Sequence, residues 1–88
     1  MIKAELRTKM MGEYGFTFTG KNRSKKEKVA EYVFDRFWDG KISYPQMTRE
    51  QVEKNIRYGS GLGIIGWWLL KYFISELLDF LEKKYNEQ

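Results

Sequence analysis

The stretch Ser60–Tyr85, SGLGIIGWWLLKYFISELLDFLEKKY, holds two of the three tryptophans and the longest apolar run in the chain, so any fold must first find cover for it. Set at 100° per residue, Leu69, Leu70, Phe73, Ile74, Leu77, Leu78, Phe80, Leu81 and Tyr85 share one arc about 180° wide, while Lys71, Ser75, Glu76, Asp79, Glu82 and Lys83 take the other side. The pattern predicts a long amphipathic helix over about 61–85. Its first turns differ, because Ile64, Ile65, Trp68 and Tyr72 continue the polar side while Gly63 and Gly66 continue the buried side. The helix therefore begins apolar all round. Glycines there permit close backbone approach, at roughly 1 kcal/mol each in helix propensity. Either the chain's own N-terminal segments cover this end, or Ile64, Ile65, Trp68 and Tyr72 are a binding patch for a partner chain or a membrane interface.

Other meanings of the same stretch fail on context. Gly61-Leu62-Gly63-Ile64-Ile65-Gly66 spells G-x-G-x-x-G, but the dinucleotide fingerprint needs a preceding strand and a surrounding βαβ unit. The residues before it read as helical, and the 27 residues from Leu62 onward cannot supply that unit. Gly59 and Gly63 form G-x-x-x-G, a helix-pairing signal in lipid, at the very edge of the run. Spanning a bilayer takes about 20 predominantly apolar residues. Gly61 to Ile74 gives 14, with Lys71 among them. Lying in the interface suits the aromatic residues better than crossing it.

Composition narrows the chemistry. Eighty-eight residues predict one domain, 1–88, burying roughly 60–65% of the unfolded surface, and fifteen aromatics make a tight core attainable at that size. With no cysteine and no histidine, disulfides, thiolate sites, the commonest general base and the commonest metal ligand are all missing. Met1-Ile2-Lys3-Ala4-Glu5 lacks the apolar core of a signal peptide. The charge is uneven: residues 1–28 carry eight Lys/Arg against three Asp/Glu, a net of +5, residues 29–60 balance five against five, and residues 61–88 carry three against four.

In chain order, residues 2–10 alternate Ile2, Ala4, Leu6, Thr8 and Met10 with charged residues, and Tyr14, Phe16 and Phe18 alternate beyond Gly12. A β-hairpin over about 2–19, turning near Met11-Gly12-Glu13, is the more economical reading. Its rival is a helix at 1–11, since Ala, Glu, Leu, Lys and Met favour helix and Ile2, Leu6 and Met10 are also four apart. Ser24 with Glu27 predicts a capping box and a helix over about 25–39, buried through Val29, Ala30, Val33, Phe34, Phe37 and Trp38 and stopped by Gly40. Thr48 with Gln51, flanked by the staple pair Met47 and Val52, predicts a helix over about 49–58 whose narrow stripe is Val52 and Ile56. Pro45 places Tyr44 in an extended connector.

The expected fold is thus mainly α (α+β), three helices with an N-terminal hairpin. No catalytic constellation emerges. Glu31, Asp35 and Asp39 form a row at i, i+4, i+8, but no second carboxylate helix matches it, and Tyr32 and Arg36 are interleaved as on a solvated face. No cofactor, metal or small-molecule substrate is implied. The first functional expectation is a non-catalytic assembly protein that binds itself or another protein through Ile64, Ile65, Trp68 and Tyr72. A second is a small nucleic-acid-binding protein using Lys21, Arg23, Lys25, Lys26 and Lys28 at a helix start, with Tyr14, Phe16 and Phe18 stacking on bases and Arg7 and Lys9 in support. A third is attachment to a membrane surface by the long helix. The location these patterns imply is cytoplasmic or membrane-peripheral.

Overall fold

Four helices make up the chain in a computed structural model that describes residues 2–21, 23–58 and 64–86. They are α1 (Ile2–Tyr14), α2 (Lys25–Phe37), α3 (Arg49–Arg57) and α4 (Ile64–Asn86). No strand occurs among the described residues, so the expected hairpin over 2–19 is replaced by α1 and an irregular loop, and the helices number four, not three. The reason is a coincidence of spacing. Ile2, Ala4, Leu6, Thr8 and Met10 recur every second residue, and Ile2, Leu6 and Met10 within that set recur every fourth; Leu6 and Met10 are fully buried, on one face of a helix rather than one side of a strand. Two strands alone would be marginal, whereas a helix satisfies its own backbone and needs only one apolar stripe to dock. Gly12 is an internal helix residue, and α1 ends at Gly15, which takes a φ of +70° and returns its N–H to the Met11 carbonyl at 3.0 Å.

The three expected helices form, with small shifts of boundary. In α2 the Ser24 hydroxyl accepts the Glu27 N–H at 3.2 Å, and Val29, Ala30, Val33, Phe34 and Phe37 are buried, with Trp38 half-buried at the C-cap. In α3 the capping box closes in both directions: Thr48 Oγ1 accepts the Gln51 N–H at 3.2 Å, and Gln51 Oε1 accepts the Thr48 N–H at 2.8 Å. Val52 and Ile56 are its buried stripe, as expected. Between these helices Met47 donates its N–H to the Ser43 carbonyl, and the Tyr44–Pro45 peptide bond is cis. The start expected for the last helix, 61–63, lies outside the described residues.

Helix α4 is the element against which the other three pack. Leu70, Phe73, Ile74, Leu77, Leu78 and Leu81 are buried along it; Leu69 and Phe80 are half-buried, and Tyr85, expected on the same arc, is exposed. Phe34 of α2 and Phe73 of α4 are among the largest fully buried side chains, each contributing about 2–3 kcal/mol by removal from water. Polar ties close the seams. The Tyr32 hydroxyl donates to the Ile56 carbonyl at 3.0 Å, and Arg49 donates to Ser75 Oγ at 3.0 Å and Asp79 Oδ1 at 3.1 Å. Lys3 pairs with Asp35 at 3.0 Å and Lys84 with Glu5 at 2.8 Å. Such surface pairs contribute about 0–1 kcal/mol each, so apolar burial decides the packing and the pairs refine it.

The loop after α1 is organised by one carboxylate. Glu27, only 4% exposed, does not complete the box back to Ser24; its Oε1 accepts the N–H of Thr17 at 2.7 Å and of Phe18 at 2.6 Å, with the Thr17 hydroxyl at 3.5 Å. Those bonds hold Phe18 in the left-handed region, at φ +59°, which costs a non-glycine residue about 1–2 kcal/mol. They also seat Phe16 and Phe18 in the core, where Phe18 meets Phe34 and Phe16 meets Phe73. Glu27→Ala would strand both amides, and we expect it to destabilise the fold by about 3 kcal/mol, with Glu27→Gln losing roughly half as much. Urea denaturation measures this; an alanine variant within about 0.5 kcal/mol of the parent would show that the loop holds without the carboxylate.

Candidate docking surface

On α4 the buried stripe leaves Trp68, Lys71 and Tyr72 on the outer side of the first turns. Trp68 is 70% exposed and Tyr72 44% exposed, one helical turn apart. Ile64 and Ile65 belong to the same helix, but their side chains lie outside the described residues.

The two aromatic residues are held differently. Tyr72 is fixed on one flank, since its hydroxyl is hydrogen-bonded to the Tyr14 hydroxyl, its ring meets Tyr14 edge-on at 6.4 Å, and Phe73 lies beside it at 5.2 Å. Tyr14 is in turn stacked on Phe16 at 5.2 Å. Trp68 has no aromatic or cationic neighbour at stacking distance among the described residues. Its neighbour Trp67 is half-buried, with the Arg57 guanidinium 4.3 Å and the Lys71 ammonium 5.7 Å from its ring.

Cations border this strip on both flanks. Lys71 and Arg57 lie on the Trp67 side; on the Tyr14 side the Lys26 ammonium is 5.5 Å from the Tyr14 ring. No carboxylate pairs with Lys26, Arg57 or Lys71 among the described residues. No family model, no curated protein and no solved structure matches this chain. The surface itself must therefore carry the functional reading.

The basic run is less uniform than its sequence. Lys21, Lys25 and Lys28 are exposed, Arg23 is engaged by Glu31, and Lys26 sits over Tyr14. Phe16 and Phe18 are buried and offer no ring to a base, and Arg7 lies over the Phe18 ring at 4.9 Å. The carboxylates Glu31 and Asp35 of α2 and Asp39 just beyond it are closed by cations: Glu31 by Arg23, Asp35 by Lys3 and Asp39 by Arg36. Among the described residues no acidic group is arranged to hold a metal ion, and no helix is long and apolar enough to cross a membrane. An open cleft of about 310 Å³ lies between α1 and α4, lined by Lys9, Asp79, Phe80, Lys83 and Lys84. Lys9 and Lys84 both lie over the Phe80 ring and both are paired, Lys9 with Glu13 and Glu76 and Lys84 with Glu5, so the cleft is a sewn seam.

Helical spacing set Trp68 and Tyr72 off the buried stripe, and both are exposed, but it missed the Lys26–Tyr14–Tyr72 connection, which joins three helices. It also missed the exposed Tyr58, at the end of a helix whose stripe does not include it.

Burial, then the bond to Tyr72 and the nearby Glu76 carboxylate raise the Tyr14 phenol well above the ordinary value of 10.0. Burial and Glu82 raise Tyr44 as well. A raised phenol stabilises the fold fully below the unfolded value, about pH 10, and this contribution is lost as pH climbs through the folded one. Alkaline absorbance titration should show Tyr14 and Tyr44 ionising late, and Tyr14→Phe should remove one late transition. Six tyrosines ionising together near pH 10 in the folded protein would contradict the buried placement.

Proposed function

We propose that this is a non-catalytic docking protein, which joins a copy of itself or another protein through the outer side of the first turns of α4. The observation that supports it is Trp68: a tryptophan 70% exposed on a helix whose buried stripe is already complete without it. Tryptophan carries a large apolar area with few rotatable bonds and is the residue type most often found to dominate binding energy at interfaces. Tyr72 extends the surface by one turn with a ring that Tyr14 has already oriented, so little side-chain freedom remains to be lost on binding. Ile64 and Ile65, expected in the same patch, have side chains outside the described residues. The absence of histidine and cysteine from the chain is consistent with a role in binding rather than turnover.

A nucleic-acid role for Lys21, Arg23, Lys25, Lys26 and Lys28 ranks second. Lys21, Lys25 and Lys28 are exposed, which favours it, but Arg23 is engaged by Glu31 and the aromatics expected beside them are in the core. Attachment to a membrane surface would use the same Trp68 side.

A photo-crosslinking residue in place of Trp68, introduced in the native cells, should give one discrete adduct, and the same residue in place of the exposed, polar Lys83 should give none. Trp68→Glu should change folding stability by no more than about 0.5 kcal/mol, since the side chain is outside the core, while abolishing association. No adduct from position 68, or the same adducts from both positions, would sink the docking role.

A further inference from the structure

The geometry points to an acidic partner at this surface: a protein segment with carboxylates beside an apolar anchor, the anchor seated on Trp68 and Tyr72 and the carboxylates on Lys26, Arg57 and Lys71. The inference rests on the docking role proposed above and adds the chemistry of what docks.

Three observations carry it. The strip is bordered by cations on both flanks, with Lys26 reaching it across the Tyr14 ring and Arg57 and Lys71 across the Trp67 ring. These three have only aromatic faces to interact with, and no carboxylate pairs with them among the described residues. Elsewhere the helix seams are closed by opposite charges: Lys3 with Asp35, Arg49 with Asp79, Lys84 with Glu5. These cations, over the Tyr14 and Trp67 rings, thus keep their charge available for an incoming group, and on the border of an interface such charges steer encounter and reject wrong partners more than they add affinity.

The same charges argue against the other occupants. In a two-fold contact between copies each patch meets itself, which would set Lys26, Arg57 and Lys71 against their own equivalents across an apolar centre. A nucleic-acid strand or an anionic bilayer presents phosphates along its whole length and is best met by an unbroken basic field. Here the field is broken, because Glu13 adjoins Tyr14 in α1 and Glu76 stands one turn from Tyr72 in α4, both beside Lys9 at 3.7 and 4.0 Å. Discrete carboxylates on a protein segment can match discrete cations and leave Glu13 and Glu76 in their pairs with Lys9.

Selection of random short peptides displayed against the full chain, with Trp68→Glu as the counter-target, tests this. The expected winners carry an aromatic or branched aliphatic residue flanked by Asp or Glu. Their affinity should fall about tenfold in the double variant Lys26→Glu/Lys71→Glu, and steeply between about 0.05 and 0.5 M salt. The milder Lys26→Gln/Lys71→Gln, checked for folding by circular dichroism, should weaken binding in the same direction. Neutral or basic winners, no Trp68-dependent winners, or affinity indifferent to both double variants would overturn the inference. So would Trp68-dependent binding of single-stranded oligothymidine or of phosphatidylserine vesicles tighter than that of the peptides. The crosslink separates the two failures: an adduct from position 68 with a second copy of the chain leaves the docking role standing and removes the acidic partner, whereas no adduct removes both.

Discussion

The Glu27 carboxylate fixes where the end of α1 sits, and the outer surface of α4 depends on that placement. By taking the N–H groups of Thr17 and Phe18, it turns the loop inward and drives Phe16 and Phe18 under α2 and α4. Phe16 then supports Tyr14 from below by stacking, and Tyr14 presents its hydroxyl to Tyr72. A residue in the first turn of α2 thereby orients an aromatic ring on α4. Packing alone would not do this, because an unpaired irregular loop can be rearranged at little cost, whereas a buried carboxylate with two amide donors accepts few alternatives.

Helix α4 meets two demands along its length. From Phe73 onward its sequence is two-faced, apolar residues inward and Glu76, Asp79, Glu82 and Lys83 outward, and α1, α2 and α3 suffice to cover it. Toward its start the outward positions carry Trp68 and Tyr72, where the same pattern continued would place charge. Exposed aromatic surface is common on folded proteins singly, so exposure by itself says little. The pairing of an unsupported indole with a phenol held by its own neighbour, between cations that rest on aromatic rings, is what distinguishes this place from the exposed Tyr58, or from Tyr85, whose ring meets Tyr44.

How much of this was legible in the chain depended on whether the governing interaction was local. Helices α2 and α3 announce themselves through Ser24, Thr48 and Gln51, whose side chains bond backbone groups three residues away, and both starts fall where those residues put them. The buried stripes of α2, α3 and α4 follow from period alone. Helix α1 did not, because residues 2–10 satisfy the strand and helix periods together, and only the absence of a sheet to join decides between them. Tyr14, Phe16 and Phe18 alternate like a strand yet belong to a helix end and a loop, since Glu27 supplies the hydrogen-bond acceptor that a neighbouring strand would have offered. The capping-box motif at Ser24 was half right for the same reason: Glu27 stands at the proper spacing, but its carboxylate is used across the loop.

On the proposed docking role, stability and recognition are carried by different residues. The core is closed by Leu6, Met10, Phe34, Val52, Ile56 and the inner stripe of α4, and none of its packing requires Trp68. The cations also divide by position: those at the seams are closed by carboxylates from a neighbouring helix, while Lys26, Arg57 and Lys71 rest on aromatic faces that leave their charge exposed. A cation over a ring keeps most of its hydration and gains only about 0.5–1 kcal/mol at such sites, so a carboxylate can take it over without first breaking an ion pair. Substitution of Trp68 at the outer side of α4 should in consequence leave the core that presents it intact.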